Sequence, residues 1–409
     1  MTHQAADRYD RNPGRPSSAP PDFASPLAQP AQQAAPYIAP PSIAQAPLPA
    51  APRRSWGLYL WLGGVLVVVA VVLVGYFLRA IGPGASFVGM ILALLPLAGV
   101  LFALRLVDRW EPEPRGLVLL AIGWGAIVSV AVALGVDLVL LLTFGRDTSI
   151  AGQFVQSVIQ APVVEEVIKG LGVLLIFAAA RRWFDGPVDG IVYGGLIGAG
   201  FAFTENIQYF ADSWIEGGVE LATATFFIRG ILSPFAHVMF TAIIGFALGL
   251  AARRGASVGG ALGPWAAGLV GAIALHALWN GSALLGDFFG LYAALQVPLF
   301  VIFIVGVLML RREESRLTRA RLGEYAAAGW FTAQEVDMLA TAAGRRAAIA
   351  WARTLHGDRV PIMRRFIADA TALAAARQRI ITGRDRAALA DEQTLLERTA
   401  ATRAALFAI

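Results

Sequence analysis

Cysteine is absent from the 409 residues, which excludes disulfides, thiol catalysis and cysteine-ligated zinc. Charge is scarce: Asp, Glu, Lys and Arg make up 15% of the chain, where a soluble protein carries about 25%. Lysine is almost missing, with Lys169 the only one among 33 basic residues. Histidine occurs four times, as His3, His237, His276 and His356, and two of these fall inside apolar runs. What fills the space is apolar, at 57% of residues, and that composition points to a membrane protein. The net charge of +5 does not indicate a nucleic-acid partner, because the basic residues form small clusters between apolar runs and not one patch.

Residues 1–54 are rich in Pro, Ala, Gln and Ser and hold few large apolar side chains, so they are expected to form a disordered tail. This tail is no signal peptide, since the first apolar run starts too late and is too long. Residues 55–310 contain eight runs long enough to cross about 30 Å of hydrocarbon. They are 56–78, 85–106, 116–143, 155–180, 187–210, 224–251, 260–285 and 289–310. The expected fold is an all-α integral membrane bundle of about eight transmembrane helices. Basic residues cluster at Arg53–Arg54, Arg105–Arg115, Arg181–Arg182, Arg253–Arg254 and Arg311–Arg312, while the alternate connections carry only Arg79, Arg146 and Arg229, with acids at Asp147, Asp212, Glu216, Glu220 and Asp287. By the positive-inside rule both termini face the cytoplasm of a multi-pass plasma-membrane protein. Residues 311–409 turn polar with helical spacing and form a small cytoplasmic helical region. There Thr332 and Glu335 make a capping box, with breaks at Gly357–Pro361 and Thr382–Gly383.

Ionisable side chains inside a membrane helix cost about 2.5–3.5 kcal/mol each on insertion scales, so their positions carry information. Glu165 and Lys169 lie four residues apart on one helix face, and Glu166 is rotated by about 100° but still within reach of Lys169. One lysine neutralises one carboxylate and leaves the other free to take a proton. Glu205 ends the fifth run, His237 lies in the sixth, and His276 lies in the seventh with Asn280 one turn further on. Counting about 1.5 Å per residue from the outer end, Glu165, Glu205, His237 and His276 fall roughly 15, 8, 20 and 14 Å deep, within one slab. Two histidines and a carboxylate form a catalytic zinc set with a position left for water. Glu205, His237 and His276 suit the ligands, and Glu165 or Glu166 suits the general base. Asn280 suits a fourth ligand or an oxyanion donor.

Together, Glu165-Glu166-x-x-Lys169, Phe201-x-x-x-Glu205-Asn206, His237 and His276 resemble the PrsW family of intramembrane metalloproteases. The Asp108-Arg109-Trp110-Glu111-Pro112-Glu113-Pro114 loop and Asp189-Gly190-Ile191-Val192-Tyr193-Gly194 are similar to that family too, so the resemblance covers roughly residues 105–285. It implies zinc-dependent cleavage of membrane-anchored protein substrates, including anti-sigma factors. The wider clan includes the CAAX prenyl proteases, which carry histidine where this chain has Glu205. Their activity is the second enzyme reading. An ion-coupled transporter or an inactive scaffold are the readings from other classes.

Several residues have simpler roles. Asp137 is read as structural or facing water, and Arg229 as snorkelling to the outer surface. The Glu111–Pro114 run is read as a rigid helix-breaking loop. Gly194, Gly195, Gly198 and Gly200 are read as points of close helix approach.

Overall fold

The computed structural model describes residues 56–407, apart from 285–286 and 384–387, and gives no side-chain account of 56–62. The expected disordered tail therefore lies outside the described residues. All regular structure among the described residues is helical. The contacts divide into two compact units that meet between Leu310 and Arg311.

The first unit begins with α1 (Trp56–Ala80) and α2 (Pro83–Val107). Next come α3 (Arg115–Gly123) and α4 (Val130–Phe144), joined without a break by a π-helical turn at Trp124–Ser129. A short α5 (Ile150–Phe154) runs through a second π turn, Val155–Gln160, into α6 (Ala161–Ala179). The longest helix, α7 (Pro187–Phe226), is kinked at Gly217 and Gly218 and passes into a third π turn, Phe227–Leu232. Then follow α8 (Ala236–Arg253), α9 (Val258–Leu284), α10 (Phe288–Leu291), a fourth π turn at Tyr292–Gln296, and α11 (Val297–Ala327).

Six stretches among the described residues are long and apolar enough to cross a membrane: Gly63–Ala80, Pro83–Val107, Arg115–Phe144, Pro187–Arg253, Val258–Leu284 and Phe288–Ala327. The protein is accordingly a multi-pass membrane protein. Helix α6 is set apart from the six by its three charged residues, Glu165, Glu166 and Lys169. Residues 190–201 of α7 and 236–242 of α8 are buried without a break, so these two helices form the centre of the bundle.

Glycine lets these two helices touch backbone to backbone. A Cβ on Gly190 would stand 2.0 Å from the carbonyl oxygen of Gly245, and one on Gly198 would stand 2.3 Å from that of His237. Gly194 lies between them on the same face, so the close approach expected of these glycines is present. The seam fixes the register of α8 on α7, and thereby places His237.

The Glu111–Pro114 loop does more than end a helix. Glu113 is buried and its carboxylate accepts from the Tyr193 hydroxyl on α7, while Tyr193 stacks on Phe184 at 5.6 Å between ring centres. Burial pushes the Glu113 carboxyl up from its ordinary value of 4.5 to about 9. The folded chain thus keeps a proton that the unfolded chain releases near pH 4.5. The stability from this group is complete below that pH and is lost as pH rises through about 9. Glu113→Gln keeps a neutral amide in the same place and is expected to flatten the fall in thermal stability between about pH 6 and pH 9. Tm in detergent measured across that range checks it, and an unchanged slope would contradict it.

The second unit, from Arg311, contains the end of α11, then α12 (Ala333–Leu339), α13 (Ala342–Ala352), α14 (Val360–Ile381) and α15 (Ala388–Phe407). Its core gathers Leu322, Tyr325, Phe331, Leu339, Met363, Phe366 and Leu373. The expected capping box is present: the Glu335 amide donates to Thr332 Oγ1 at 3.1 Å, and the Thr332 amide donates to Glu335 Oε2 at 2.8 Å. Gly357 and Gly383, at φ of 77° and 66°, mark the two expected breaks. Inside, Arg403 Nε pairs with the buried Glu335 at 2.8 Å.

Candidate metal centre

Helix α6 enters the bundle irregularly, and the irregularity matters. Pro162 has no amide, so the chain approaches it through a π turn in which the Ala161 amide donates to Gln156 O. The next π bond would run from residue 162 to Ser157 O, and proline cannot make it. Asn280 Nδ2 supplies the missing donor to Ser157 O at 2.8 Å, tying α9 to the start of α6. The amide nitrogen of Asn280 is therefore taken up here.

Two turns further on, Lys169 Nζ is fully buried between the two carboxylates. It donates to Glu165 Oε2 at 3.1 Å and to Glu166 Oε1 at 2.8 Å, and it lies 3.7 Å from the centre of the Phe201 ring. His237 Nδ1 is 3.2 Å away. An ammonium has no lone pair, so Nδ1 accepts and the ring proton sits on Nε2. That nitrogen in turn donates to Glu205 Oε2 at 2.9 Å.

Glu166 is held from three sides: by Lys169, by His276 Nδ1 at 3.1 Å, and by Thr241 Oγ1 at 3.1 Å. Phe240 stacks on the His276 ring at 4.7 Å, and the two histidine rings meet edge-on at 5.1 Å. Two indoles steady α6 on either side of Lys169. Trp124 Nε1 donates to Ile168 O at 2.9 Å, and Trp265 Nε1 donates to Gly170 O at 2.8 Å.

The two acids differ in access. Glu166 is 0% exposed, whereas Glu165 is 8% exposed and helps line a cavity of about 230 Å³. Glu205, Phe201, Gln156, Tyr209 and Asp137 line it as well. Asp137, read as structural or facing water, sits on this wall and accepts from Gln156 Nε2 at 3.1 Å.

Ligand-type atoms of Glu165, Glu166, His237 and His276 all lie within 4.8 Å of one another, the one such group among the described residues. Nitrogen and carboxylate donors of this kind suit zinc. Glu205 stands outside the four. Its carboxylate is engaged by His237 and by Arg229, which also donates through Nε to Asn206 Oδ1 at 2.7 Å. The expectation that Arg229 snorkels outward is corrected here, because it is turned inward onto α7.

Side chains from four helices thus meet inside a multi-pass membrane protein around a site fit for a cation. Residues 113–307 match the sequence profile of the PrsW family intramembrane metalloproteases, so the resemblance read from the motifs holds over this region. The chain is similar to Protease PrsW of Geobacillus kaustophilus (strain HTA426), with 30% identity over 146 residues, 36% of this chain and 59% of that protein. Protease PrsW of Bacillus subtilis (strain 168) is 31% identical over 146 residues, 36% of this chain and 61% of that protein. Protease PrsW of Clostridioides difficile (strain 630) is 31% identical over 157 residues, 38% of this chain and 63% of that protein. The chain spans about three fifths of the length of these curated relatives. No solved structure matches it.

Proposed function

We propose that this protein is a zinc-dependent intramembrane endopeptidase that cuts membrane-anchored protein substrates, anti-sigma factors among the candidates. The observation that carries the reading is the cluster of Glu165, Glu166, His237 and His276 buried beside a cavity that Glu165 lines. In this reading α1 to α11 make eight passes through the plasma membrane, with α6 one of them and both termini cytoplasmic. Residues 55–310 form the protease domain and 311–409 the cytoplasmic appendage.

His237, His276 and Glu166 would hold the ion. Zinc in that set would supply Lewis acidity toward the scissile carbonyl and an activated water. The remaining work belongs to side chains. Glu165, at the cavity wall, accepts the proton from the attacking water and returns it to the leaving amine. Lys169 neutralises part of the acid charge and fixes both carboxylates. Glu205, placed among the ligands by the sequence pattern, acts here as the carboxylate that orients His237.

The test is cleavage of a membrane-anchored reporter by the purified full chain in detergent. Activity should vanish on complete chelation and return with Zn²⁺. Cleavage that persists in metal-free protein would overturn the reading.

A further inference from the structure

Arg229 lies in the π turn Phe227–Leu232, between the kink of α7 and the start of α8. A π turn shifts the phase of the helix that carries it, and it aims this side chain back at α7. Nε donates to Asn206 Oδ1 at 2.7 Å, Nη2 pairs with Glu205 Oε2, and the guanidinium lies 3.9 Å from the centre of the Tyr209 ring. One side chain therefore grips three residues of a single α7 turn, by fork, charge and stacking. The Glu205 oxygen it holds is the same atom that accepts from His237 Nε2 at 2.9 Å. Side-chain exposure falls along this line, from 23% at Arg229 to 18% at Glu205 and 10% at His237, so the relay runs from the rim of the site to the buried cluster.

We infer that Arg229 is a positioning residue, which holds Glu205 as the orienting partner of His237. The inference deepens the proposed function and rests on it. Pinned by a guanidinium, the Glu205 carboxylate fixes the imidazole tautomer with Nδ1 turned toward Lys169 and the acids. Such partners of a ligating histidine are worth about 10–100-fold in metal affinity or activity.

The experiment uses the full chain in detergent. Zn²⁺ affinity is read by competition with a chromogenic chelator, and kcat and KM are read on the membrane-anchored reporter. Arg229→Gln is expected to weaken zinc binding about 10–100-fold and to lower kcat with KM little changed. Arg229→Lys, which restores the charge but not the fork, should recover part of the loss. The decisive arm is the Glu205→Gln background. There Arg229→Gln should cause no further loss, since it acts through that carboxylate. Wild-type zinc affinity and kcat in Arg229→Gln would overturn the inference. So would the same fold-loss with and without Glu205→Gln. Should Arg229→Gln fail to fold, Arg229→Lys with and without Glu205→Gln gives the same comparison. His237→Ala separates the two levels. If it abolishes zinc binding while Arg229→Gln changes nothing, only this inference falls. If it keeps wild-type zinc affinity, the proposed site falls with it.

Discussion

Glu165→Gln is expected to lower kcat by about 10²–10⁴-fold while zinc content stays at the wild-type level. The expectation follows from the different surroundings of two neighbouring acids. Glu166 is fully buried and its oxygens are occupied by Lys169, His276 and Thr241. Glu165 takes a bond from Lys169 and lines the cavity, where the proposed reading places the attacking water and the substrate amide. A glutamine there keeps size and polarity but cannot accept the proton. Glu166→Gln should behave differently and lose zinc along with activity. Reporter turnover and metal analysis on the same preparations check both variants. Normal turnover in Glu165→Gln, or loss of zinc from it, would reassign the base.

Lys169→Met carries the second large effect, on stability. It leaves Glu165 and Glu166 buried with no ammonium between them, and breaking a buried ion pair in this way costs about 3–5 kcal/mol. Lys169→Arg should not restore the loss. A planar fork is a poor substitute for a compact ammonium that meets two carboxylates, the Nδ1 lone pair of His237 and the face of Phe201 at once. Pairing Lys169→Met with Glu165→Gln should recover part of the stability by removing one orphaned charge. Unfolding in detergent followed by circular dichroism measures it, and a Lys169→Met protein as stable as wild type would refute the electrostatic account of the cluster.

Much of this arrangement can be read from the sequence because membrane burial makes charge conspicuous. Glu165, Glu166, Lys169, His237 and His276 stand out against apolar runs, and the similar depth of Glu165, Glu205, His237 and His276 indicates convergence. The helices are equally visible as run lengths, though their ends are not. The apolar run in α7 stops near residue 210, yet helical geometry continues to the kink at Gly217 and Gly218, because Asp212 and Glu216 interrupt hydropathy without breaking the helix. Other features depend on backbone irregularities that no periodicity shows. The π turn at Phe227–Leu232 turns Arg229 inward where a regular helix end suggests snorkelling. The missing Pro162 amide creates the free Ser157 carbonyl that Asn280 satisfies. Trp124 and Trp265 each need a partner for the indole N–H, but which carbonyl they find depends on packing between distant segments. Glu113 reads as part of a rigid loop until Tyr193 is seen against it, 80 residues away in sequence.

Anomalous X-ray scattering at the zinc edge, from crystals of the full chain prepared in active form, tests the central claim most directly. The account predicts one dominant peak bonded at about 2.0–2.2 Å to nitrogens of both His237 and His276 and to a carboxylate oxygen from α6. A fully active protein with no peak there, or with its metal away from both imidazoles, would contradict it.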